Sequence, residues 1–433
     1  MRQFLSVSTS LRVIQWFIFM TASSVALPIV IGGVFHLPHE EIASLMQRTF
    51  FVVGLSSALQ AIIGHRYPIV DGPAGSWVSV FIMMAAMAAQ TGQDVKEALQ
   101  LLQGGLLLAG VLLFLLGVTG LFYKLISLFT PLVTNTFLFI LSMQLSGVFL
   151  KGMLGIEEGE KTIDYWSALI ALGVFILVIC LTIKGKGWIR NYAVLLGIVC
   201  GWLIQVLVNG GKGFDTTGPT EWGIKLPDIF AWGLPKLNAG MAITAVLFSL
   251  ILVSNLIAAI SAAGQVVPRK DAVSRGVYNR SSMVGGVSHG LSAAFSTIGI
   301  VPLPITASFM RMSGQTQRKP FLVACLALIG IALVPGFVHY LALLPTSVAS
   351  AVSLATFVQM TANSFQSLTK AVQSQRQLMI LAIGLIIGVG FTLVSASLPE
   401  GLPVVMQYVL GNGLLVATLL VMVLEKFWRP TEE

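Results

Sequence analysis

The chain has 433 residues, of which 56% are hydrophobic and only 10% charged, with 43 glycines and a mean hydropathy of +0.90. Soluble domains carry roughly a quarter charged residues, so a soluble enzyme is excluded, and abundant Leu, Ile, Val and Phe without a glycine triplet period exclude collagen and disorder. The net charge of +8 would suit nucleic acid only if clustered on a folded polar surface; none is found, and the expected partner is the lipid bilayer.

In chain order, Arg2 and Arg12 precede an apolar run that is too long for a signal peptide and lacks a small-residue cleavage site, so it is read as a first span. Apolar windows then predict crossings near residues 11 to 35, 46 to 64, 68 to 90, 99 to 123, 127 to 149, 165 to 184 and 190 to 209. After a polar stretch from Asn209 to Lys236, a second set follows at 240 to 264, 276 to 295, 296 to 313, 320 to 342, 344 to 363, 376 to 397 and 402 to 424. The expected fold class is an all-α polytopic membrane protein with about fourteen transmembrane segments. With the N-terminus inside, most of the 25 basic residues fall in inner segments, among them Arg66, Lys124, Arg269, Lys270, Arg318 and Arg376. Acids lean outward, notably Glu157, Glu158 and Glu160. A multi-pass protein of the cell membrane with both termini cytoplasmic is expected.

Two crossings are interrupted. Pro68-Ile-Val-Asp-Gly-Pro73 and Gly299-Ile-Val-Pro-Leu-Pro304 each place an extended segment at the start of an apolar stretch. Both read Ile-Val-x-x-Pro, at a separation of 231 residues that also carries Ser23-Ser24 onto Ser254-Asn255 and Gly33 onto Gly264. An odd number of crossings per half makes the second copy enter from the opposite side, which predicts two inverted seven-span repeats at 1–213 and 238–433. Spans 3 and 10 are each expected to be a short extended strand plus a half-helix, the two strands pairing and the half-helix N-termini facing an acceptor-rich ligand.

These segments resemble the nucleobase-ascorbate transporter family, also called nucleobase:cation symporter 2, with its bacterial uracil, xanthine and purine permeases. Gln15-Trp16 with Pro28 and Gly32 is similar to the family's Gln-His and Pro-x-x-x-Gly stretch, and Pro68-x-x-Asp71-Gly72-Pro73 to its third-span segment. Thr297-Ile298-Gly299 with Ala307-Ser308 resembles the tenth-span Asn-x-Gly signature and the pair after it. The resemblance implies a core domain from spans 1 to 4 and 8 to 11 (about 11–123 and 240–342) and a gate domain from spans 5 to 7 and 12 to 14 (about 127–209 and 344–424). It also implies proton symport of a nucleobase and, often, a homodimer through the gate domain. The chain departs from the family where Trp16 replaces His, Asn255 (or Ser254) stands at the eighth-span glutamate, and Ser296 and Thr297 replace Glu or Gln and Asn.

Asp71 is the one acid placed within the membrane, where ionisable groups are costly; it is either the proton carrier or a carboxylate capped by half-helix N–H groups. His289 is a second proton-coupling candidate, or a packing residue with a backbone partner. The expected substrate site comprises Ser23, Ser24, Asp71, Gly72, Ser254, Asn255, Ser296, Thr297 and Gly299, flanked by Thr306 and Ser308. Trp77 and Phe309 are candidates to stack on a planar ring, while Arg311 is read as a snorkelling residue and His65 and His339 as interfacial. Cys180, Cys200 and Cys325 lie in apolar runs and are read as packing residues, with no metal or cofactor expected. No Walker loop, zinc spacing or paired nucleophile and base is found, and Gln103-Gly104-Gly105 and Gly285-Gly286 are read as close helix contacts. The reading is a proton-coupled importer of a purine or related nucleobase. Its alternatives are an inorganic or organic anion carrier of the same architecture, against which the short tail after the last span speaks, and a passive channel.

Overall fold

Inside a bilayer no water satisfies backbone N–H and C=O groups, so apolar segments of this chain fold as helices. The structure, a computed structural model, describes residues 7–125, 128–156, 164–208, 222–267, 274–372, 374–394, 406 and 409–428. Glu157, Glu158, Glu160, Arg269, Lys270, the repeat boundary at 213 and the start of the run at 402 to 424 lie outside the described residues.

The first half runs α1 (Val7–Val34), α2 (His39–Ile62), β1 (Asp71–Pro73), α3 (Gly75–Thr91), α4 (Val95–Thr119), α5 (Leu121–Leu125), α6 (Pro131–Met153), α7 (Tyr165–Lys184), α8 (Trp188–Asn191) and α9 (Ala193–Val208). The second half runs α10 (Ala239–Val266), α11 (Arg275–Ala294), β2 (Ile300–Pro302), α12 (Ile305–Ser313), α13 (Arg318–Ala332), α14 (Pro335–Ala342), α15 (Thr346–Ala371), α16 (Gln375–Val394) and α17 (Gly413–Phe427). Side-chain caps set several starts: Thr130 accepts from Val133 N ahead of Pro131, and Asn238 accepts from Met241 N at 2.7 Å. Asp164 caps α7, and the Ser167 hydroxyl it accepts from holds its carboxyl below the usual carboxylate range.

Among the described residues, seven helices are long and apolar enough to cross a membrane. The other expected crossings depart for local reasons. The run at 320 to 342 is two helices, α13 and α14, meeting at 88°. Pro335 offers no N–H to continue α13, and the carbonyls freed at the break are taken by neighbours: Gln47 Nε2 donates to Ala332 O at 2.9 Å and Lys225 N to Leu333 O at 2.8 Å. The helices α3 and α9 are shorter apolar helices, and α11 is rich in Ser, Gly and Arg.

At the centre, β1 and β2 are buried and pair antiparallel, Asp71 opposite Pro302, Gly72 opposite Val301 and Pro73 opposite Ile300. The ladder is extended by Leu303 N to Val70 O and Ala74 N to Gly299 O, each 2.8 Å. Asp71 and Pro302 are separated by the same 231 residues as the sequence repeat. Helix packing comes in corresponding pairs: α1 on α13 is answered by α10 on α4, α2 on α13 by α11 on α4, and α1 on β1 by α10 on β2. Likewise α15 against α7 is answered by α6 against α16, while α6 and α15 pack on each other.

Charged groups near the helix ends bond to other segments. Arg12 donates to Gln317 (3.0 Å) and Arg318 to Ala61 O (3.4 Å) at one end. At the other end Lys236 pairs with Glu97 at 3.3 Å.

The helices α4 and α11 touch through glycine. A Cβ on Gly286 would lie 2.5 Å from Gly110 O, and one on Gly110 would lie 2.8 Å from Gly286 O. Since backbone cannot yield as a side chain can, Gly286→Val is expected to destabilise by about 1–3 kcal/mol. Gly290→Val, whose Cβ meets nothing within 4 Å among the described residues, is its control. Thermal unfolding of the detergent-solubilised protein checks this: the first variant should melt several degrees lower and the second close to the parent.

Candidate substrate site at the strand crossing

The site is built where the paired strands hand over to α3 and α12. Ala74 caps α3 with no side-chain hydrogen bond, so among the described residues the first N–H groups of α3 have no side-chain acceptor, and they carry the positive end of the helix dipole. The start of α12 differs, because Thr306 N and Ala307 N are already bonded to Leu303 O and Pro304 O within their own turn (3.1 Å each). Of the two helix starts, α3 is therefore the better placed to receive an acceptor.

The sequence-predicted residues divide by where their polar atoms go. Asn255 on α10 reaches α3, its Nδ2 3.4 Å from Ser76 Oγ. Ser254 beside it bonds Thr134 of α6 at 3.0 Å. Ser23 and Ser24 on α1 donate to their own helix, at Phe19 O and Met20 O. Gly72 faces Leu303, and Gly299 lies against the Trp77 indole, both in the strand crossing. Ser296 and Thr297 turn away from it. Ser296, at φ 48°, accepts from Gln103 Nε2 at 3.2 Å and from Trp232 N at 3.4 Å, while Thr297 pairs with Thr49 Oγ1 at 2.6 Å.

Asp71 is fully buried. Its backbone N–H donates to Ser57 Oγ at 2.9 Å, but among the described residues neither carboxylate oxygen has a hydrogen-bond partner, so the half-helix cap expected as one alternative is not formed. His289 is also buried, and both ring nitrogens are engaged: Nε2 accepts from Trp77 Nε1 at 3.0 Å and Nδ1 lies 2.9 Å from Gly285 O. Trp77 itself is fully buried against Phe248. Phe309 stacks on Phe19 at 4.3 Å within an aromatic cluster that includes Trp16. Ser308 and Arg311 are exposed on α12, and His339 meets His39 at 5.0 Å.

Sequence reasoning missed the partners: Ser76, Thr134, Thr49, Gln103 and Trp232. Gln103 and the similarly buried Gln60, which donates to Ser281 O, were legible as amides inside apolar runs. Trp232 carried no such signal, since it lies in a polar connection and is drawn inward by Ser296 and by Arg48, whose guanidinium sits 5.5 Å from its ring centre.

A family model described as "Permease family" matches residues 8–397. The chain is 30% identical over 425 residues to YwdJ of Bacillus subtilis (strain 168), named as a provisional purine permease, covering 97% of this chain and 96% of that one. It is 25% identical over 425 residues to the uric acid transporter UacT of Escherichia coli (strain K12), covering 96% and 85%. Among solved structures it resembles the transmembrane domain of the cyanobacterial bicarbonate transporter BicA, with a TM-score of 0.63, 16% identity and coverage of 94% and 96%. That likeness concerns the fold.

Any Cβ at Gly299 would overlap the Trp77 indole, which is already held by His289. Gly299→Ala is expected to weaken ligand binding by roughly tenfold, because the ring must leave its seat or the strands must part. Equilibrium binding to the purified variant checks this; parental affinity would contradict the tight packing.

Proposed function

Since the chain belongs to the permease family that includes purine, uric acid and xanthine permeases and nucleobase-ascorbate transporters, we propose that it imports a purine or related nucleobase by proton symport. The observation that carries the reading is the buried antiparallel crossing of β1 and β2, which sets the uncapped start of α3 beside Asn255 and Ser76. A nucleobase presents both donors and acceptors on its edge. The α3 N–H groups suit its acceptors, and Asn255 offers both kinds of group where a carboxylate could only accept. Ser23, Ser24, Ser254, Gly72 and Gly299 line the same crossing in this reading, with Ser296 and Thr297 bracing it from behind.

About fourteen crossings in two inverted seven-span repeats follow in the same reading, supported by the 231-residue register of Asp71 on Pro302 and by the paired helix contacts. Spans 1 to 4 and 8 to 11 form the moving core; spans 5 to 7 and 12 to 14, held by α6 against α15, form the gate. The two meet at α1 on α15 and at the Thr134–Ser254 hydrogen bond, and alternating access is their relative movement. Both termini are cytoplasmic in the cell membrane, and a second copy docks through the gate.

Asp71 is the proton carrier in this reading. Among the described residues its two oxygens have no partner, whereas His289, the other candidate, has both nitrogens occupied. Because the group that reaches the α3 start from α10 is Asn255 and not an acid, the site also suits the rival, an anion carrier.

Uptake of radiolabelled xanthine into proteoliposomes, competed by hypoxanthine, uracil and sulfate, tests the proposal. Hypoxanthine should compete, sulfate should not, and an imposed proton gradient should accelerate uptake. Competition by sulfate alone would establish the anion carrier, and uptake indifferent to every gradient a channel. Asp71→Asn is expected to abolish gradient-driven uptake and leave exchange across the membrane intact; unchanged gradient dependence removes Asp71 from the coupling.

A further inference from the structure

Beside the strands, the two halves are also linked by the bond from the Trp77 indole to His289. It joins the first turn of α3 to the second half of α11, 212 residues later, and both side chains are buried. A tryptophan N–H can only donate, so Nε2 of His289 must be the unprotonated nitrogen, and the proton sits on Nδ1, facing Gly285 O at 2.9 Å. The hydrogen-bond network thus assigns one tautomer of a neutral ring. An imidazolium would set an Nε2 proton against the indole proton, two donors facing each other with no acceptor between them.

The remaining walls of the Trp77 seat are fixed as well. Gly299 of the strand lead-in lies under the indole with no room for a methyl group, and Phe248 of α10 packs at 5.0 Å. One aromatic side chain therefore touches α10, α11 and the start of β2 while standing in the first turn of α3, the turn whose N–H groups face the candidate site.

We propose that His289 is a positioning residue: by accepting the Trp77 indole proton it locks the first turn of α3 against the β2 lead-in and sets the width of the substrate site between them. It does not relay protons. The proposal rests on the nucleobase reading for its effect on substrate, but the lock itself does not depend on which ligand is carried.

Two measurements test it. In protein labelled with ¹⁵N at its 8 tryptophans, the indole resonance removed by Trp77→Phe should be the one that moves upfield in His289→Leu and returns towards its parental position in His289→Gln, whose amide oxygen can accept. In transport, His289→Leu should raise KM by roughly tenfold with little change in maximal rate per folded molecule, and His289→Gln should recover most of the loss. Adding Trp77→Phe to His289→Leu should cost little more than the worse single variant, since both remove the same bond. An indole resonance unmoved by His289→Leu, equal losses in Leu and Gln variants with fully additive effects, or a displaced pH profile of uptake in His289→Gln would each overturn the proposal. If the parent carries no nucleobase, the transport arm lapses and the resonance arm still decides the lock. Should His289→Leu fail to fold, the Gln and Phe variants give the same comparison.

Discussion

Backbone that is not helical cannot stand unpaired at membrane depth, because each orphaned N–H or C=O costs several kcal/mol with no water to satisfy it. The chain solves the problem at its two extended, proline-bounded segments by pairing one with the other. The ladder from Val70 to Ala74 against Gly299 to Leu303 is what permits helices to start inside the protein, and the candidate site is a product of that permission. Were either segment helical throughout, there would be no inward helix start for a ligand to meet.

The pairing also fixes the relation of the halves. Asp71 lies opposite its own counterpart, Pro302, so the local symmetry passes through that pair, and contacts of one half are repeated by the other. The symmetry is broken where chemistry is placed: an acid faces a proline, Trp77 corresponds to exposed Ser308, and the α3 start is uncapped while the α12 start is bonded to itself. A site assembled from two similar halves is thus made one-sided by a few side chains.

Much of this was legible in the sequence, because membrane constraints act on composition and spacing. The Ile-Val-x-x-Pro segments marked both breaks, and the glycine clusters marked close helix contacts, as Gly286 on Gly110 bears out. What the sequence hid was direction. Ser296 and Thr297 stand at the expected position yet turn towards α4 and α2, since the left-handed backbone at Ser296 rotates the chain before the strand begins. Ser23 and Ser24 spend their hydroxyls on their own helix carbonyls, a choice that spacing cannot reveal. The bend between α13 and α14 was hidden by uniform apolarity on both sides of Pro335, and its neighbours Gln47 and Lys225 are distant in sequence.

The most direct measurement is oxidative cross-linking in membranes of Gly72→Cys with Val301→Cys, in a chain whose Cys180, Cys200 and Cys325 are replaced by alanine. Directly opposed residues of an antiparallel pair lie within disulfide reach at about 4.5–5.5 Å between Cα atoms. The account predicts rapid intramolecular cross-linking of this pair and none between Gly72→Cys and a cysteine placed at Ile298, on the far side of the register. Failure of the first pair to cross-link, with the protein folded and the oxidant reaching its interior, would contradict the strand crossing.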